Sequence, residues 1–210
     1  MLNVLQMSSV LPFEVIALII DNVGESNDTN LLKELALVSH SFHQICSKHL
    51  YANVELHDTS PNYQRKSSKN GFIKLLERRP NVVNYIRKLA YKVSDDDHLL
   101  SPNFPKLLRT ISRLNLLAIN DSKLNWNTLD SSLTSALLYL MHLPTINHID
   151  LSFIQNFPLS SLTLSVNLLR LDIFYLCRLN PHDEDPSEII IQSEMMPKIR
   201  EFHTSESACL

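Results

Sequence analysis

The sequence predicts a mixed α and β chain in which a small helical module is followed by a run of strand-helix units stacked one on another. Residues 11 to 51 carry apolar residues at three- and four-residue intervals, the period of helices. From Val54 onward a short frame, LxxLxL, recurs instead. Composition points the same way: 37 of the 210 residues are leucine and 18 are asparagine, with only two glycines, where average usage would give about fifteen. Asparagine tolerates the left-handed turn conformations that glycine usually supplies, so many short buried elements joined by Asn- and Ser-rich turns are expected.

The first helix opens at Leu11-Pro12-Phe13-Glu14. Proline suits the first helical position, where its missing N–H is not needed, and Glu14 lies at the positive end of the helix dipole. The run continues to Asn22 and Gly24 with two apolar stripes, Ile16, Ile19, Ile20 and Val23 on one side and Leu11, Val15 and Leu18 on another. Both stripes cannot face one interior. After the polar stretch from Glu25 to Asn30, a short helix carries Leu31, Leu32, Leu35, Ala36 and Val38, and Ser39 is the expected N-cap of a third helix bearing Phe42, Ile45, Cys46, His49 and Leu50. A three-helix module over residues 9 to 52 follows. A unit this small with a surplus apolar side calls for a protein partner.

The second domain, residues 53 to 210, begins with a strand from Val54 to His57 and then presents the frame five times. Its instances are Ile86-Leu89-Tyr91, Leu114-Leu117-Ile119, Ile146-Ile149-Leu151, Leu168-Leu171-Ile173 and Ile199-Phe202-Thr204, naming the first, fourth and sixth positions. The central residues lie 28, 32, 22 and 31 positions apart, irregular but close to the 20 to 29 of leucine-rich repeats. Helical stretches are expected between them, at Phe72 to Arg79, Phe104 to Ser112 and Leu129 to His142, the last with Leu133, Leu137, Leu138 and Met141 on one face. An ordinary α/β domain would alternate strands and helices too. Proline two residues before the frame in Pro144-Thr-Ile146 and Pro197-Lys-Ile199 favours repeats. The fold expected is thus an irregular leucine-rich-repeat (strand-helix) solenoid behind a three-helix module.

Alternation along the strands turns the residues between the frame positions outward. A face running from Lys88, Ala90 and Lys92 through Leu116 and Ala118 to His148, Asp150, Arg170, Asp172, Glu201 and His203 is expected, passing from basic to mixed charge. The position three beyond the frame is Ser94, Ser122, Ile154, Leu176 or Ser207, so a regular asparagine ladder is not expected. The final frame is followed almost at once by Leu210 with no polar closing repeat, from which a C-terminal truncation is expected.

Several chemistries are excluded by what the sequence lacks. Gly24 and Gly71 are too far apart for a dinucleotide fingerprint or a phosphate loop. Cys46, Cys177 and Cys209 are odd in number and widely spaced, which argues against a disulfide framework and for a reducing compartment. The N-terminus has no cationic signal-peptide start, and Pro12, Glu14 and Asp21 interrupt its first apolar stretch. A cytoplasmic or nuclear protein with no membrane partner is expected. The segment from Arg65 to Lys92 holds nine Lys and Arg against one acid, Glu77. Lys69, Lys74, Arg78 and Arg79 there accompany Phe72, Ile73, Leu75 and Leu76, as the wet side of an amphipathic helix would, so no nucleic-acid partner is inferred.

His40, His43, Cys46 and His49 recur at every third residue, but on a helix that spacing lags about 60° per step, so four ligands cannot converge on one ion. The acidic runs 95 to 98 and 182 to 185 sit among loop signals. No GxSxG or comparable nucleophile frame occurs. No enzyme, metal or cofactor is expected.

The module from 11 to 51 resembles an F-box. Leu11-Pro12-Phe13-Glu14-Val15-Ile16 matches the LPxE opening of that family and Leu37-Val38-Ser39-His40-Ser41-Phe42 its later VSxxF. It is most similar to fungal F-box-like proteins, in which the module precedes degenerate leucine-rich repeats. The resemblance implies a non-catalytic substrate-receptor subunit of a Skp-cullin-F-box type ubiquitin ligase, bound to a Skp-type adaptor and through it to a cullin. Leu11, Pro12, Val15, Ile16, Leu37, Val38, Ser39 and Phe42 occupy the adaptor-binding motif positions. The repeats would hold an unidentified protein substrate, contributing proximity rather than bond-making. The alternative is a repeat scaffold for protein interaction independent of ubiquitin ligation.

Overall fold

Pro12 holds φ −54° and ψ 144° directly before helix α1 (Phe13–Glu25), and its carbonyl accepts the Val15 and Ile16 N–H groups at 3.0 and 3.2 Å. Its extended ψ makes it the cap rather than the first helical residue that the sequence suggests. The computed structural model describes residues 12–26, 28–57, 68–93, 101–174 and 199–205. The chain divides into two compact units, Met1–Tyr51 and Ala52–Leu210.

In the first unit, α1 is followed by α2 (Thr29–Ala36) and α3 (His40–Leu50). Both later helices start on a side-chain cap: the Asp28 carboxylate accepts from Leu31 N–H at 3.0 Å, and the Ser39 hydroxyl accepts from Phe42 N–H at 3.3 Å. Ile20, Leu32, Ile45 and Cys46 form the core, with Ile16, Ala17, Val23 and Phe42 packed around it. Ile19 departs from the expected stripe and is exposed. On a helix it lies about 60° from Ile16 and nearly 100° from Ile20, at the edge of the buried arc and beside Val15.

Two contacts tie α1 to α3. The Asp21 carboxylate meets Lys48 Nζ at 2.6 Å and His49 Nε2 at 2.8 Å, and these bonds, Lys48 first, hold its pKa below the ordinary aspartate range. One helical turn on, Gly24 lies against the His49 ring, which any β-carbon at position 24 would overlap. This glycine is required by close approach rather than by a turn.

The second unit is a sheet of six parallel strands in sequence order, β1 (Asn53–Leu56), β2 (Lys88–Lys92), β3 (Leu116–Asn125), β4 (His148–Gln155), β5 (Arg170–Phe174) and β6 (Glu201–Ser205). The register aligns the frames. Leu89, Leu117, Ile149, Leu171 and Phe202 stand side by side, as do Tyr91, Ile119, Leu151, Ile173 and Thr204. The first frame residues Ile86, Leu114, Ile146 and Leu168 are buried as well. Val54 and Leu56 of β1 join the same rows although the frame search begins at Ile86.

Strand entry repeats at the backbone level. The carbonyl of Ala52 accepts from Arg87 and Lys88 N–H, that of Arg87 from Asn115 and Leu116, and that of Asn115 from Asn147 and His148. Asn147 then accepts from Leu169 and Arg170, and Leu169 from Arg200 and Glu201, every bond between 2.7 and 3.1 Å. Each unit thus seats the next through one carbonyl and two successive donors. Side chains reinforce these seats: the Thr145 hydroxyl donates to Leu114 O at 2.7 Å and Asn167 Nδ2 to Pro144 O at 2.8 Å.

The connections are uneven. Helix α4 (Ser68–Arg78) and a 3-10 turn Pro80–Asn84 join β1 to β2, and α5 (Phe104–Leu108) lies between β2 and β3. Helix α6 (Ser131–Met141) lies between β3 and β4, and a 3-10 helix Leu159–Leu164 between β4 and β5. The helix expected over Phe104 to Ser112 stops at Leu108. Helix α6 starts two residues later than expected because Asp130 caps it, accepting from Ser132 and Leu133 N–H at 2.9 and 3.1 Å. Leu140, rather than Leu138, is fully buried on it.

Two further expectations are corrected. Lys69 is not on the wet side of its helix: it is fully buried, with its ammonium 5.0 Å from the centre of the Tyr91 ring, a favourable cation–π placement. Phe202 occupies a frame position but is 52% exposed, because among the described residues β6 ends the strand order and has a neighbour on one side alone. Ser94, Leu176, Cys177, Pro197, Ser207 and Cys209, together with the acidic runs 95 to 98 and 182 to 185, lie outside the described residues.

The register distinguishes neighbouring leucines sharply. Leu117→Ala removes a fully buried side chain and should destabilise the protein by roughly 2–5 kcal/mol, whereas Leu116→Ala, on the other face, should stay within about 1 kcal/mol in urea unfolding. Equal losses would refute the register. Gly24→Ala should destabilise despite the roughly 1 kcal/mol that alanine ordinarily gains in a helix, and pairing it with His49→Ala should recover part of the loss.

Candidate functional site

Two surfaces carry the residues singled out from the sequence, one in each unit. In the helical unit, Leu37 and Val38 fill the turn between α2 and α3 and are 87% and 65% exposed. Leu37 N–H and Val38 N–H bond to Glu34 and Leu35 carbonyls at 3.1 and 3.0 Å, so this turn is held rather than loose. On α1, Phe13, Val15, Leu18 and Ile19 are exposed, Leu18 at 63%. Large apolar side chains in this density on a unit this small are a marked departure from a solvated surface.

The eight motif residues separate by role. Pro12, Val15, Leu37 and Val38 are exposed. Ile16 and Phe42 pack against the core, and Ser39 caps α3 through its hydroxyl. Leu11 lies outside the described residues. Phe13, Leu18, Ile19 and Leu31 join the exposed apolar set without having been assigned a surface role. The helical period carried that signal for Leu18, whereas it places Ile19 in the stripe with Ile16, Ile20 and Val23, from which the structure removes it.

Among the described residues, no group of three or more His, Cys, Asp and Glu is placed to hold a metal ion. Cys46 is in the core, where burial raises its thiol pKa, and His49 faces Asp21. No helix among the described residues is long and apolar enough to cross a membrane.

In the sheet unit, the register sets the outward residues in rows. One row reads Lys88, Leu116, His148, Arg170, Glu201 and the next Ala90, Ala118, Asp150, Asp172, His203. Lys92, Asn120, Ser152 and Phe174 form a third. All eleven face residues anticipated from the sequence therefore belong to one surface.

Asp172 corrects one expectation. It is 3% exposed although its strand position turns it to the outer face. His148 Nε2 lies 2.8 Å from its Oδ2, and Arg170 Nε donates to both carboxylate oxygens at 2.9 and 3.1 Å. Arg170 also reaches Glu201 at 3.4 Å. These neighbours close over the carboxylate and compensate its charge.

Asp150, one strand away, is half-buried, and its partner is the Ser152 hydroxyl, which donates at 3.0 Å. Burial, the largest influence, pushes its carboxyl above the ordinary aspartate range. The Ser152 bond opposes this rise and the nearby Asp172 charge adds to it. Beyond Ser152 the strand bulges: Phe153 takes φ 60° opposite a register shift between Asn120 and Leu124, and its side chain is exposed. A bulky residue in the left-handed region stores strain of about 1–3 kcal/mol.

A scan against protein-family models and a search of the curated proteins give no match to this chain. What the two surfaces can do is therefore argued from their own residues. Neither assembles a nucleophile with a base and an oxyanion site among the residues described.

The two aspartates should respond oppositely. Asp172→Ala should destabilise by about 2 kcal/mol, since Arg170 and His148 lose a buried acceptor. Asp150 is held in the folded state with a raised pKa, so its ionised form opposes folding at neutral pH, and that penalty fades as pH falls through the raised value. Asp150→Asn should therefore raise the urea midpoint at pH 7, with the advantage shrinking toward pH 4. An advantage that grows on acidification would refute this assignment.

Proposed function

We propose that this chain is a substrate-receptor subunit of a Skp-cullin-F-box type ubiquitin ligase, with no catalytic step of its own. The observation that carries the reading is the exposed apolar surface of the helical unit. Leu37, Val38 and Val15 coincide with motif positions of the F-box resemblance and face solvent, while Ile16 and Phe42 of the same motif supply core. A Skp-type adaptor that covers these side chains would remove from water an area that this small unit cannot bury by itself.

The sheet unit supports the receptor half of the reading. Its strands run parallel in sequence order, with frame residues in register and one backbone seat repeated at each strand entry. That regularity favours an irregular leucine-rich-repeat solenoid over an ordinary α/β domain, whose sheets commonly reverse strand order. The face carrying Lys88, Lys92, His148, Asp150, Arg170, Asp172, Glu201 and His203 is the proposed substrate surface. A cytoplasmic or nuclear location, where a cullin would be met, belongs to the same proposal.

The test is co-purification of the tagged chain with a Skp-type adaptor and cullin. Leu37→Asp with Val38→Asp places charges on two exposed positions, so folding should be retained while adaptor recovery falls at least about tenfold. If the intact chain recovers no adaptor, or if the double variant recovers it undiminished, the ligase reading fails and an interaction scaffold independent of ubiquitin replaces it.

A further inference from the structure

The outer face of β2, β3 and β4 has an uneven supply of charge. Lys88 and Lys92 on β2 are exposed and form no ion pair among the described residues. Between them and β4 lie the short side chains Ala90 and Ala118, with Leu116 and Asn120 on either side of Ala118. Asp150 stands in the same row as the two alanines. Asp172 and Glu201 are already engaged by Arg170, and Asp172 by His148 as well. Among the described residues Asp150 has a hydroxyl partner and no cation in bonding contact.

A half-buried carboxylate without a cation is an unfinished interaction, because desolvation has been incurred and no charge-assisted bond offsets it. Two unpaired ammonium groups on the same face, two strands away, complete a charge pattern. Adjacent strands are about 4.8 Å apart, so β2 and β4 are separated by about 10 Å, the span of some three residues of extended chain. Alanines along the path let a backbone approach the sheet.

We propose that this face takes an extended peptide segment crossing the strands, with an Asp or Glu side chain toward Lys88 or Lys92 and a Lys or Arg side chain on Asp150. The inference rests on the substrate-receptor reading for the peptide's role, but the recognition chemistry stands on the face itself. A polyanion such as nucleic acid is disfavoured, since Asp150, Asp172 and Glu201 share the surface with the lysines. A purely cationic peptide would meet Lys88 and Lys92.

The test uses the full chain and a randomised twelve-residue peptide library displayed on phage. Enriched peptides should carry an acid and a base two to four residues apart. Their affinity should fall about tenfold on Asp150→Asn, the loss of one charge-assisted bond, and by a similar factor on Lys88→Ala with Lys92→Ala. Asp150→Lys should change the selected base to an acid. Circular dichroism and urea midpoints establish that each variant folds, and Asp150→Asn decides the matter if Asp150→Lys does not. No enrichment, an enriched set of one sign, or a selection unchanged by the Asp150 variants overturns the proposal. Adaptor co-purification from the same preparation is measured separately. Adaptor binding without charge-paired peptides sinks this inference alone, and charge-paired peptides without adaptor sink the ligase reading alone.

Discussion

The second unit depends on one backbone arrangement: a carbonyl at each strand entry that accepts two successive N–H groups of the following unit. A parallel pair has evenly spaced, slanted bonds and nothing in a tight turn to set its register, so the register must be fixed elsewhere. The seats at Ala52, Arg87, Asn115, Asn147 and Leu169 fix it five times over. Once they are made, Leu89, Leu117, Ile149 and Leu171 fall into one buried row, and the charged residues between them fall into rows on the opposite face. The core and the proposed binding surface are two consequences of the same constraint.

The helical unit solves a different problem. With few residues to bury, it uses caps at Asp28 and Ser39 to start its helices and a carboxylate, Asp21, to hold α1 against α3. The Asp21 contribution is present at neutral pH and is lost as pH falls through its lowered pKa, because the unfolded state takes up the proton first. Leu37 and Val38 remain outside this economy: their backbone is fixed and their side chains reach water. A turn held by its own hydrogen bonds would leave little ordering to do if the proposed partner covers these apolar groups.

Much of this was legible in the sequence. The helical periodicity of residues 13 to 50 gave three helices and the Ser39 cap, and the LxxLxL frame gave strands whose central residues are in register. What escaped was set by tertiary neighbours. Lys69 has the spacing of a solvated residue, and contacts such as the Tyr91 ring, 5.0 Å from its ammonium, make its burial tolerable. Asp172 has the parity of an exposed residue, yet it is buried where His148 from one strand and Arg170 from its own converge on it. Strand β1 falls outside the LxxLxL search, although its residues stand in the same rows of the sheet, because its frame would begin with Tyr51, an aromatic in a leucine position. Gly24 reads as a helix terminator, yet its purpose lies across the unit in the His49 ring.

The bulge at Phe153 also sets where the charged face stops. A strand alternates sides with strict parity, so Leu151 inward would put Ile154 outward. The left-handed residue between them shifts the count by one, and Ile154 is buried instead. Phe153 therefore acts as a phase boundary in the strand. On one side of it the sheet displays polar chemistry in register with its neighbours, and on the other the chain returns to packing around Trp126 and Phe157, whose rings meet edge to face at 4.8 Å. The length of the polar face along β4 is thereby set by a local backbone torsion, independently of how many strands the sheet contains.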